Sequence, residues 1–360
     1  MAKASLVIVG GGYIGAELAK SLENDLDVSL VEPREAFVHA PAMLRALVDG
    51  SVREQALIPY DRLLTNGRLI KSKATSVTNG KVVTEDGSEI EADYIVLSPG
   101  ASNGGIFKPA DESIDTFREA QGRVAQKIRD ASSIVIVGAG AVGIELAGEI
   151  AHRFPEKSVS LVSADAKLFP GFPAKLGKGL EHKLKAMGVE VILGQRVQDL
   201  QSTTEPYSGA VTLGDGRVIS ADLMIPAIGS KPQTALFDGL PNIERTPDGR
   251  VKVDGYLRPS SLPNVFAAGD AVDAGDLMTI VATSRQQPWL AKLLKALAAG
   301  AALESQKSYT PWGKAPILVP LGPAKGNSYL IIATFGDWMT KTMKGKDLFV
   351  SKYRKLLGYG

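Results

Sequence analysis

Two segments of this chain share one pattern of apolar, glycine and polar positions. The runs SLVIVG and SIVIVG, which end at Gly10 and Gly138, are short and β-branched, as buried parallel strands are. After a glycine turn, each continues into a segment with apolar residues at helical spacing, YIGAELAKSLEN or AVGIELAGEIAHRF. A further run, VSLV, ends before Glu32 in the first copy and before Ser163 in the second. Each copy predicts a strand–helix–strand unit of a parallel sheet.

The repeat continues into a third element. The segments ADYIVLSPGA and ADLMIPAIGSKP predict strands that end in turns at Gly100 and Gly229. From Gly10 to Gly138 is 128 residues, too long for a solenoid unit, so the copies indicate two domains of one type. A helix and linker over about 109–132 would join the two copies, and another helix is expected over about 280–300.

The first glycine turn has the spacing of a dinucleotide-binding motif, Gly10-x-Gly12-x-x-Gly15. The first glycine permits the tight turn, the second the approach of a pyrophosphate, and the third close helix–strand packing. The N-terminal N–H groups of the helix then face the phosphates. Glu32 ends the second strand, where an acid accepts hydrogen bonds from an adenosine ribose. This combination predicts a first dinucleotide site.

The second turn, Gly138-x-Gly140-x-x-Gly143, predicts a second dinucleotide site. Two such sites in one chain suggest a tightly held FAD and an exchanging nicotinamide nucleotide. Glu145 is expected on the ribose side of the nicotinamide; the alternative is a solvated glutamate in a first helical turn. Ser163 stands where Glu32 stands in the first copy. A serine does not repel a 2′-phosphate, so the site is expected to accept both NADH and NADPH.

Composition excludes several other chemistries. The 360 residues contain no cysteine, so disulfides, thiolate metal sites and a redox-active dithiol are excluded. The chain has only three histidines, so no histidine-based metal site and no bound metal is expected. A net charge of +2 gives no reason to expect nucleic acid. There is no run of ~18 apolar residues, so no membrane span is expected. No signal peptide is expected either, because the first predicted strand follows the start closely, and Ala2 predicts no N-myristoylation.

A third motif, NVFAAGDAVD, ends a predicted strand at Asp270. Here the chain resembles the two-dinucleotide-binding-domain flavoproteins of the glutathione-reductase-like superfamily. The resemblance implies that Asp270 contacts the FAD ribitol and that the Gly100 and Gly229 turns are the family's two ATG-like elements. The alternative for Asp270 is a helix cap. Disulfide reduction, which this superfamily performs with a cysteine pair, is excluded, so an external electron acceptor is expected.

The C-terminal segment from Trp338 to Gly360 is basic and amphipathic. Phe349, Tyr353 and Leu356–Leu357 share one helical face, which is typical of a helix at a bilayer interface or of a helix docked on its own domain. Both interpretations remain open from the sequence.

The segments TKTMKGKDLFVSKYRK and AFVHAPAMLRALVDG resemble the apoptosis-inducing-factor-like flavoproteins, and within them the ferroptosis-suppressor group of quinone oxidoreductases. The resemblance implies that Lys344 and Phe349 lie near the flavin and the quinone entrance, and that His39 lies near the flavin. The vertebrate members are anchored by myristoylation. Here membrane association would rest on the C-terminal segment and be sensitive to salt.

Together these features predict an α/β fold with two doubly wound domains and a small α+β C-terminal cap. The FAD domain would comprise 1–112 and 230–310, the NAD(P)H domain 113–229, and the cap 311–360. The predicted function is hydride transfer from NAD(P)H through flavin N5 to a ubiquinone- or menaquinone-type substrate. The predicted protein is cytoplasmic and peripherally membrane-associated, as a monomer or homodimer. The alternatives are a ferredoxin or rubredoxin reductase and a redox-signalling or pro-apoptotic binding protein.

Overall fold

The computed structural model describes residues 2–103, 105–109 and 112–360. Its strands, in chain order, are β1 (Ser5–Val9), β2 (Asp27–Val31), β3 (Ala36–Val38), β4 (Leu57–Pro59), β5 (Arg68–Ile70), β6 (Ala74–Thr78), β7 (Lys81–Thr84), β8 (Glu89–Glu91), β9 (Tyr94–Leu97), β10 (Ala101–Ser102), β11 (Ser133–Val137), β12 (Ser158–Val162), β13 (Val189–Ile192), β14 (Tyr207–Thr212), β15 (Val218–Pro226), β16 (Lys231–Pro232), β17 (Val251–Lys252), β18 (Val265–Ala267), β19 (Val272–Asp273), β20 (Ile317–Leu321), β21 (Lys325–Tyr329) and β22 (Thr334–Phe335).

The helices of the described residues are α1 (Tyr13–Leu22), α2 (Ala40–Ala46), α3 (Gly50–Ala56), α4 (Ile114–Asp130), α5 (Ala141–Arg153), α6 (Ala174–Ala186), α7 (Ile280–Ala298), α8 (Asp337–Thr340) and α9 (Val350–Leu356). Between α8 and α9 the chain forms one π-helical turn, Lys341–Gly345. The helices expected over about 109–132 and 280–300 correspond to α4 and α7.

The first sheet has the strand order β18-β9-β1-β2-β5, and all of its strands are parallel. Its central strands are buried on both faces, which explains their unbroken apolar sequence. The edge strand β18 comes from the chain segment that follows the second repeat. Two separate parts of the chain therefore build this sheet, and α7 from the later part packs against α1.

The second sheet has the order β13-β12-β11-β15-β14, with β14 antiparallel to the rest. It repeats the β1–α1–β2 arrangement with β11, α5 and β12. The prediction of an α/β fold with two doubly wound domains is confirmed. The domain boundaries given above stay a prediction.

The C-terminal part contains the antiparallel sheet β20-β21-β22 followed by short helices. Its strand β20 packs closely on α5, since a Cβ on Gly148 would lie 2.6 Å from the Cα of Leu321. Helix α9 instead packs on the first domain, where Tyr353 and Leu357 are buried in the same apolar cluster as α1. This part therefore contacts both doubly wound domains.

The apolar face of α9 packs against the first domain, which is the second of the two interpretations given above. Tyr353 is 2% exposed and Leu357 is fully buried, and Phe349 and Leu356 pack beside them. Intramolecular packing covers this face, so of the two interpretations that the sequence leaves open, the structure favours the docked helix. Within the described residues, no helix is long and apolar enough to cross a membrane.

Candidate functional site

The turn between β1 and α1 is shaped by its glycines. Gly10 has a φ of +96°, and a Cβ on Gly15 would lie 1.8 Å from the carbonyl oxygen of Gly10. A side chain at either position would force the turn open. Gly12 differs, because a Cβ there would meet nothing within 4 Å. The backbone at Gly12 is thus open to a ligand at the N-terminus of α1.

Glu32 lies at the end of β2, next to this turn, and is 1% exposed. Its carboxylate accepts a hydrogen bond of 2.6 Å from the Gly11 N–H and pairs with the Arg34 guanidinium, with an Nε–Oε1 distance of 2.7 Å. The pair with Glu32 also raises the pKa of Arg34, against the opposing effect of burial. Tyr60 donates to the Gly11 carbonyl at 2.7 Å. Glu32 therefore fixes the backbone of the glycine turn, and Arg34 neutralises its buried charge.

Asp270 follows β18, at the carboxyl end of the same sheet. The preceding Gly269 has a φ of +89° and donates its N–H to Gln286 of α7 at 2.7 Å. The Asp270 carboxylate is 3.2 Å from the Lys108 ammonium, and both side chains are partly exposed. Thr279, not Asp270, caps α7, accepting the Ala282 N–H. Asp270 also lines a cleft, together with Arg250, Gly269, Val272, residues 276–279 and 282–283, and Gln286.

The two other glycine turns meet where the domains join. Gly100 and Gly229 have φ values of +72° and +114°, and a Cβ on either would meet nothing within 4 Å. The strands that follow them, β10 and β16, pair with each other in an antiparallel ribbon. Both glycines therefore face open space, and the turns are held together by the β10–β16 ribbon.

The turn between β11 and α5 repeats the first one. Gly138 has a φ of +112°, a Cβ on Gly143 would lie 1.9 Å from the Gly138 carbonyl oxygen, and Gly140 is open. Ser163, at the end of β12, is 7% exposed, and its hydroxyl accepts the Asp165 N–H at 3.2 Å. Ser163 therefore shapes the loop that follows β12. The nearest exposed charged residue in the sequence is Asp165.

Glu145 on α5 is buried and pairs with Lys344, although 199 residues separate them in the sequence. The Nζ–Oε1 distance is 2.6 Å, and the Lys344 ammonium also donates to the Leu318 carbonyl at 3.1 Å. Burial raises the pKa of Glu145, and the Lys344 charge opposes that effect. The alternative of a solvated Glu145 is excluded by this geometry. Two residues that the sequence analysis placed in different roles thus form one buried pair.

His39 follows β3 and lies within a chain of hydrogen bonds. The Ala40 N–H donates to the Tyr13 hydroxyl at 3.0 Å, and this hydroxyl is 3.1 Å from His39 Nδ1. His39 Nε2 is 2.5 Å from the Leu348 carbonyl oxygen. A neutral ring with its proton on Nε2 satisfies all three contacts. His39 thereby ties the N-terminal domain to the segment that carries Lys344 and Phe349.

Leu348 and Phe349 have φ values of +55° and +67°, a left-handed conformation that is rare for bulky residues. They follow the π-helical turn that contains Lys344. Strained backbone and π-helical turns are concentrated at functional sites. The structure therefore brings three sequence-predicted residues, Lys344, Phe349 and His39, onto or against one strained segment.

His39 makes the stability of the protein dependent on pH. Burial lowers the pKa of His39 to about 4, so the ring is neutral in the folded protein while the unfolded chain takes up a proton near pH 6.5. The stabilisation is therefore complete above pH 6.5 and lost as the pH falls towards 4, by about 3 kcal/mol. We expect His39→Gln to flatten the acid dependence of the unfolding free energy, measured by denaturant titration. The exposed His182→Gln is the control; an unchanged slope in His39→Gln would contradict the account.

These positions fit two dinucleotides. Open backbone at Gly12 and Gly140, each at the N-terminus of a helix, provides two places where a pyrophosphate can approach N–H groups. The first has Glu32 at its strand end and Asp270 across the sheet edge. The second has Glu145 two residues beyond Gly143. Within the described residues, no cluster of histidine, aspartate or glutamate could hold a metal ion.

Sequence reasoning missed several partners of the predicted residues. Arg34 lies only two residues after Glu32, so the pair could have been found from the motif VEPR. Lys108 and Tyr13 carried no such signal, because their partners Asp270 and His39 are distant in the chain.

Comparison with known proteins agrees with this geometry. The family described as pyridine nucleotide-disulphide oxidoreductase matches residues 6–288. Apoptosis-inducing factor homolog B of Dictyostelium discoideum is 30% identical over 98% of this chain and 96% of its own length. Ferroptosis suppressor protein 1 of Xenopus tropicalis is 27% identical over 98% of this chain and 96% of its own. The solved structure of NDH2 from Plasmodium falciparum with NADH superposes with a TM-score of 0.74, at 15% identity, over 98% of this chain and 97% of that one.

Proposed function

The chain belongs to the pyridine nucleotide-disulphide oxidoreductase family, and from this premise we propose that it is an FAD-dependent NAD(P)H:quinone oxidoreductase. It is an oxidoreductase that uses FAD and a nicotinamide nucleotide. The observation that carries the finer proposal is that Glu145 and His39, from the two domains, both contact the C-terminal segment from Lys344 to Leu348.

In this proposal, the first domain holds FAD. Gly10, Gly12 and Gly15 receive the pyrophosphate, Glu32 accepts from the adenosine ribose, and Asp270 contacts the ribitol, with Gly100 beside it. The Gly11 N–H and Arg34 hold the Glu32 carboxylate in place for this role. When bound at these residues, FAD would supply the chemistry for hydride uptake from the nicotinamide nucleotide and for two-electron transfer to the acceptor.

The second domain binds NAD(P)H. Gly138, Gly140 and Gly143 receive its pyrophosphate, and Gly229 leaves space where the nucleotide crosses towards the first domain. Glu145 faces the ribose or carboxamide of the nicotinamide. Burial raises the pKa of Glu145, and the Lys344 ammonium 2.6 Å away opposes that rise and so favours the charged carboxylate.

The acceptor in this proposal is a quinone. The chain has no cysteine, so the dithiol step that gives the family its name has no residue to perform it. Phe349 is half-buried on the strained segment and offers an apolar ring one residue after the Leu348 carbonyl that holds His39. A flat apolar substrate is suited to such a wall. The similarity to ferroptosis suppressor protein 1 over nearly the whole chain supports the same acceptor class.

Steady-state oxidation of NADH by the purified yellow protein tests the proposal. A soluble ubiquinone or menaquinone analogue should accelerate NADH oxidation well above the rate with oxygen alone. Acceleration by ferredoxin or rubredoxin instead would favour an electron-transfer reductase. A flavin that NADH does not bleach would favour the redox-signalling or pro-apoptotic binding protein.

The proposed reaction needs no nucleic-acid partner, and the balanced charge of the chain supports none. Either a monomer or a homodimer accommodates the reaction.

We expect the nicotinamide site to accept both NADH and NADPH. Ser163 offers no carboxylate, and the exposed loop after it carries one acid, Asp165, and one base, Lys167. The ratio of kcat/KM values should favour neither nucleotide by more than ~100-fold, or nearly 3 kcal/mol. Asp165→Ser should move the ratio towards NADPH by about tenfold, because it removes a charge that repels the 2′-phosphate. A strict NADH preference in both proteins would contradict this.

We propose that the membrane contact lies in residues 331–346, before α9, because the apolar face of α9 itself is packed. Ile332 and Trp338 are 89% and 74% exposed, and Ile331 and Met343 lie in the same segment. Lys341 and Lys346 are exposed close by in the sequence. Exposed isoleucine and tryptophan beside lysines are suited to an anionic lipid surface.

We expect the double variant Ile332→Ser, Trp338→Ser to bind anionic liposomes at least about tenfold more weakly at low salt in co-sedimentation. Val218→Ser is the matched control, because Val218 is 64% exposed on the second domain. Equal binding of the double variant and the control would contradict a membrane contact at this segment. Removing the chain after Gly336 would be a poor test, since Tyr353 and Leu357 belong to the core.

A further inference from the structure

Helix α5 carries two buried acids on one face. Glu145 and Glu149 are four residues apart and 5% and 3% exposed. Two like charges at this spacing repel each other, more strongly in a buried place than at a surface. Each acid must therefore have its own cation, and the two cations come from different parts of the chain.

Arg45 on α2 pairs with Glu149. Its Nη2 and Nε lie 2.8 Å and 3.0 Å from Glu149 Oε1, and Nε lies 3.1 Å from Oε2. The same guanidinium donates through Nη1 to the Lys346 carbonyl at 3.3 Å. Arg45 is 8% exposed, so these contacts take place away from solvent.

Arg45 thus connects three parts of the molecule. It stands on the first domain, neutralises an acid of the second, and holds the backbone of the C-terminal segment two residues after Lys344. The close packing of Gly148 against Leu321 keeps α5 and the C-terminal sheet in register with this contact. Substituting Arg45 would therefore release the Lys346 carbonyl and affect the position of Lys344. It would also leave the Glu149 charge without its partner, close to Glu145.

We propose that Arg45 and Glu149 are positioning residues for the Glu145–Lys344 pair: Arg45 holds the segment that carries Lys344 and cancels the charge that Glu149 places beside Glu145. The inference rests on the proposed function only for the role of Glu145 towards the nicotinamide nucleotide.

The charges around Glu145 determine in which direction each substitution should shift its pKa. Burial raises the pKa of Glu145 most, Lys344 lowers it, Glu149 raises it and Arg45 lowers it. Removing Arg45 should therefore raise the pKa of Glu145 further, and removing the Glu149 charge should lower it. A purely structural role for the pair predicts no such opposite shifts.

Binding of NAD⁺ to the FAD-loaded protein, followed as a function of pH, tests the charge effect. In Arg45→Met the acidic limb of the affinity profile should move up by about one pH unit, and in Glu149→Gln it should move down. The double variant Arg45→Met, Glu149→Gln should return close to the parent profile. The exposed pair of Lys252 and Glu244 supplies the controls Lys252→Met and Glu244→Gln, which should leave the profile in place. Profiles of the Arg45 and Glu149 variants that coincide with the parent would overturn the proposal.

Limited tryptic cleavage of the same full-length proteins tests the contact with Lys346. Arg45→Met should speed cleavage after the exposed Lys346 by about tenfold relative to cleavage after Lys252, which corresponds to one charge-assisted hydrogen bond. If Arg45→Met does not fold, Arg45→Lys keeps the charge and should show faster cleavage with no shift of the pH profile. An unchanged cleavage ratio in the folded variants would overturn the positioning role.

The two arms separate failure of this inference from failure of the proposed function. A parent protein that does not bind NAD⁺ at any pH refutes the proposed role of Glu145. The cleavage arm does not depend on nucleotide and still decides whether Arg45 holds the C-terminal segment.

Discussion

Gly15→Ala should yield a protein that retains less than about a tenth of its FAD. The new Cβ would lie 1.8 Å from the Gly10 carbonyl oxygen, so β1 and α1 must separate and the turn that faces the pyrophosphate is lost. Overpacking of this kind costs about 1–3 kcal/mol or more, and each 1.4 kcal/mol lost from binding lowers affinity tenfold. The flavin absorbance of the purified protein relative to its protein absorbance measures the occupancy.

Gly143→Ala is the companion variant, because its Cβ would lie 1.9 Å from the Gly138 carbonyl oxygen in the second turn. It should retain FAD and lose reduction of the flavin by NADH. Gly50→Ala is the neutral control, since a Cβ there meets nothing within 4 Å. Loss of flavin in Gly143→Ala but not in Gly15→Ala would reverse the assignment of the two domains.

Lys344→Met should slow reduction of the flavin by NADH about 100-fold. The Glu145 carboxylate would lose its partner at 2.6 Å and stay buried, so its pKa would rise further and the charged form that pairs with Lys344 would be disfavoured. A displaced nucleotide-binding group can cost a factor of this size even when the fold is kept. Removing one partner of a buried ion pair also lowers the free energy of unfolding by about 3–5 kcal/mol. Stopped-flow absorbance and denaturant titration measure the two effects.

Lys341→Met is the matched control, because Lys341 belongs to the same π-helical turn but is exposed. It should leave both the rate and the unfolding free energy close to those of the parent protein. A Lys344→Met protein that is less stable but reduced by NADH at the parent rate would show that the pair with Glu145 is structural only.

The parts of the site that the sequence predicts are those with a local cause. Gly10 and Gly15 are close in the chain, and their spacing alone determines the turn. The same holds for Gly138 and Gly143, and the β-branched runs before them determine buried strands. The two-domain fold follows from this repetition, and the structure confirms it.

The parts that the sequence leaves open depend on distant packing. The apolar face of α9 has the same periodicity whether it meets lipid or protein, and only the cluster around Tyr353 decides between the two. Likewise, Arg45 and Glu149 are 104 residues apart, so no local pattern connects them. Family resemblance predicts a role for Lys344, but its pairing with Glu145 depends on the packing of the C-terminal sheet on α5.

The most direct test of the central claim is an anaerobic two-step stopped-flow measurement on the flavin. The protein is first mixed with NADH and then with a soluble ubiquinone analogue, with ferredoxin, or with air-saturated buffer. The account predicts that NADH bleaches the flavin and that the quinone restores its absorbance at least about tenfold faster than ferredoxin or oxygen does. A flavin that NADH bleaches but that quinone reoxidises no faster than oxygen would contradict it.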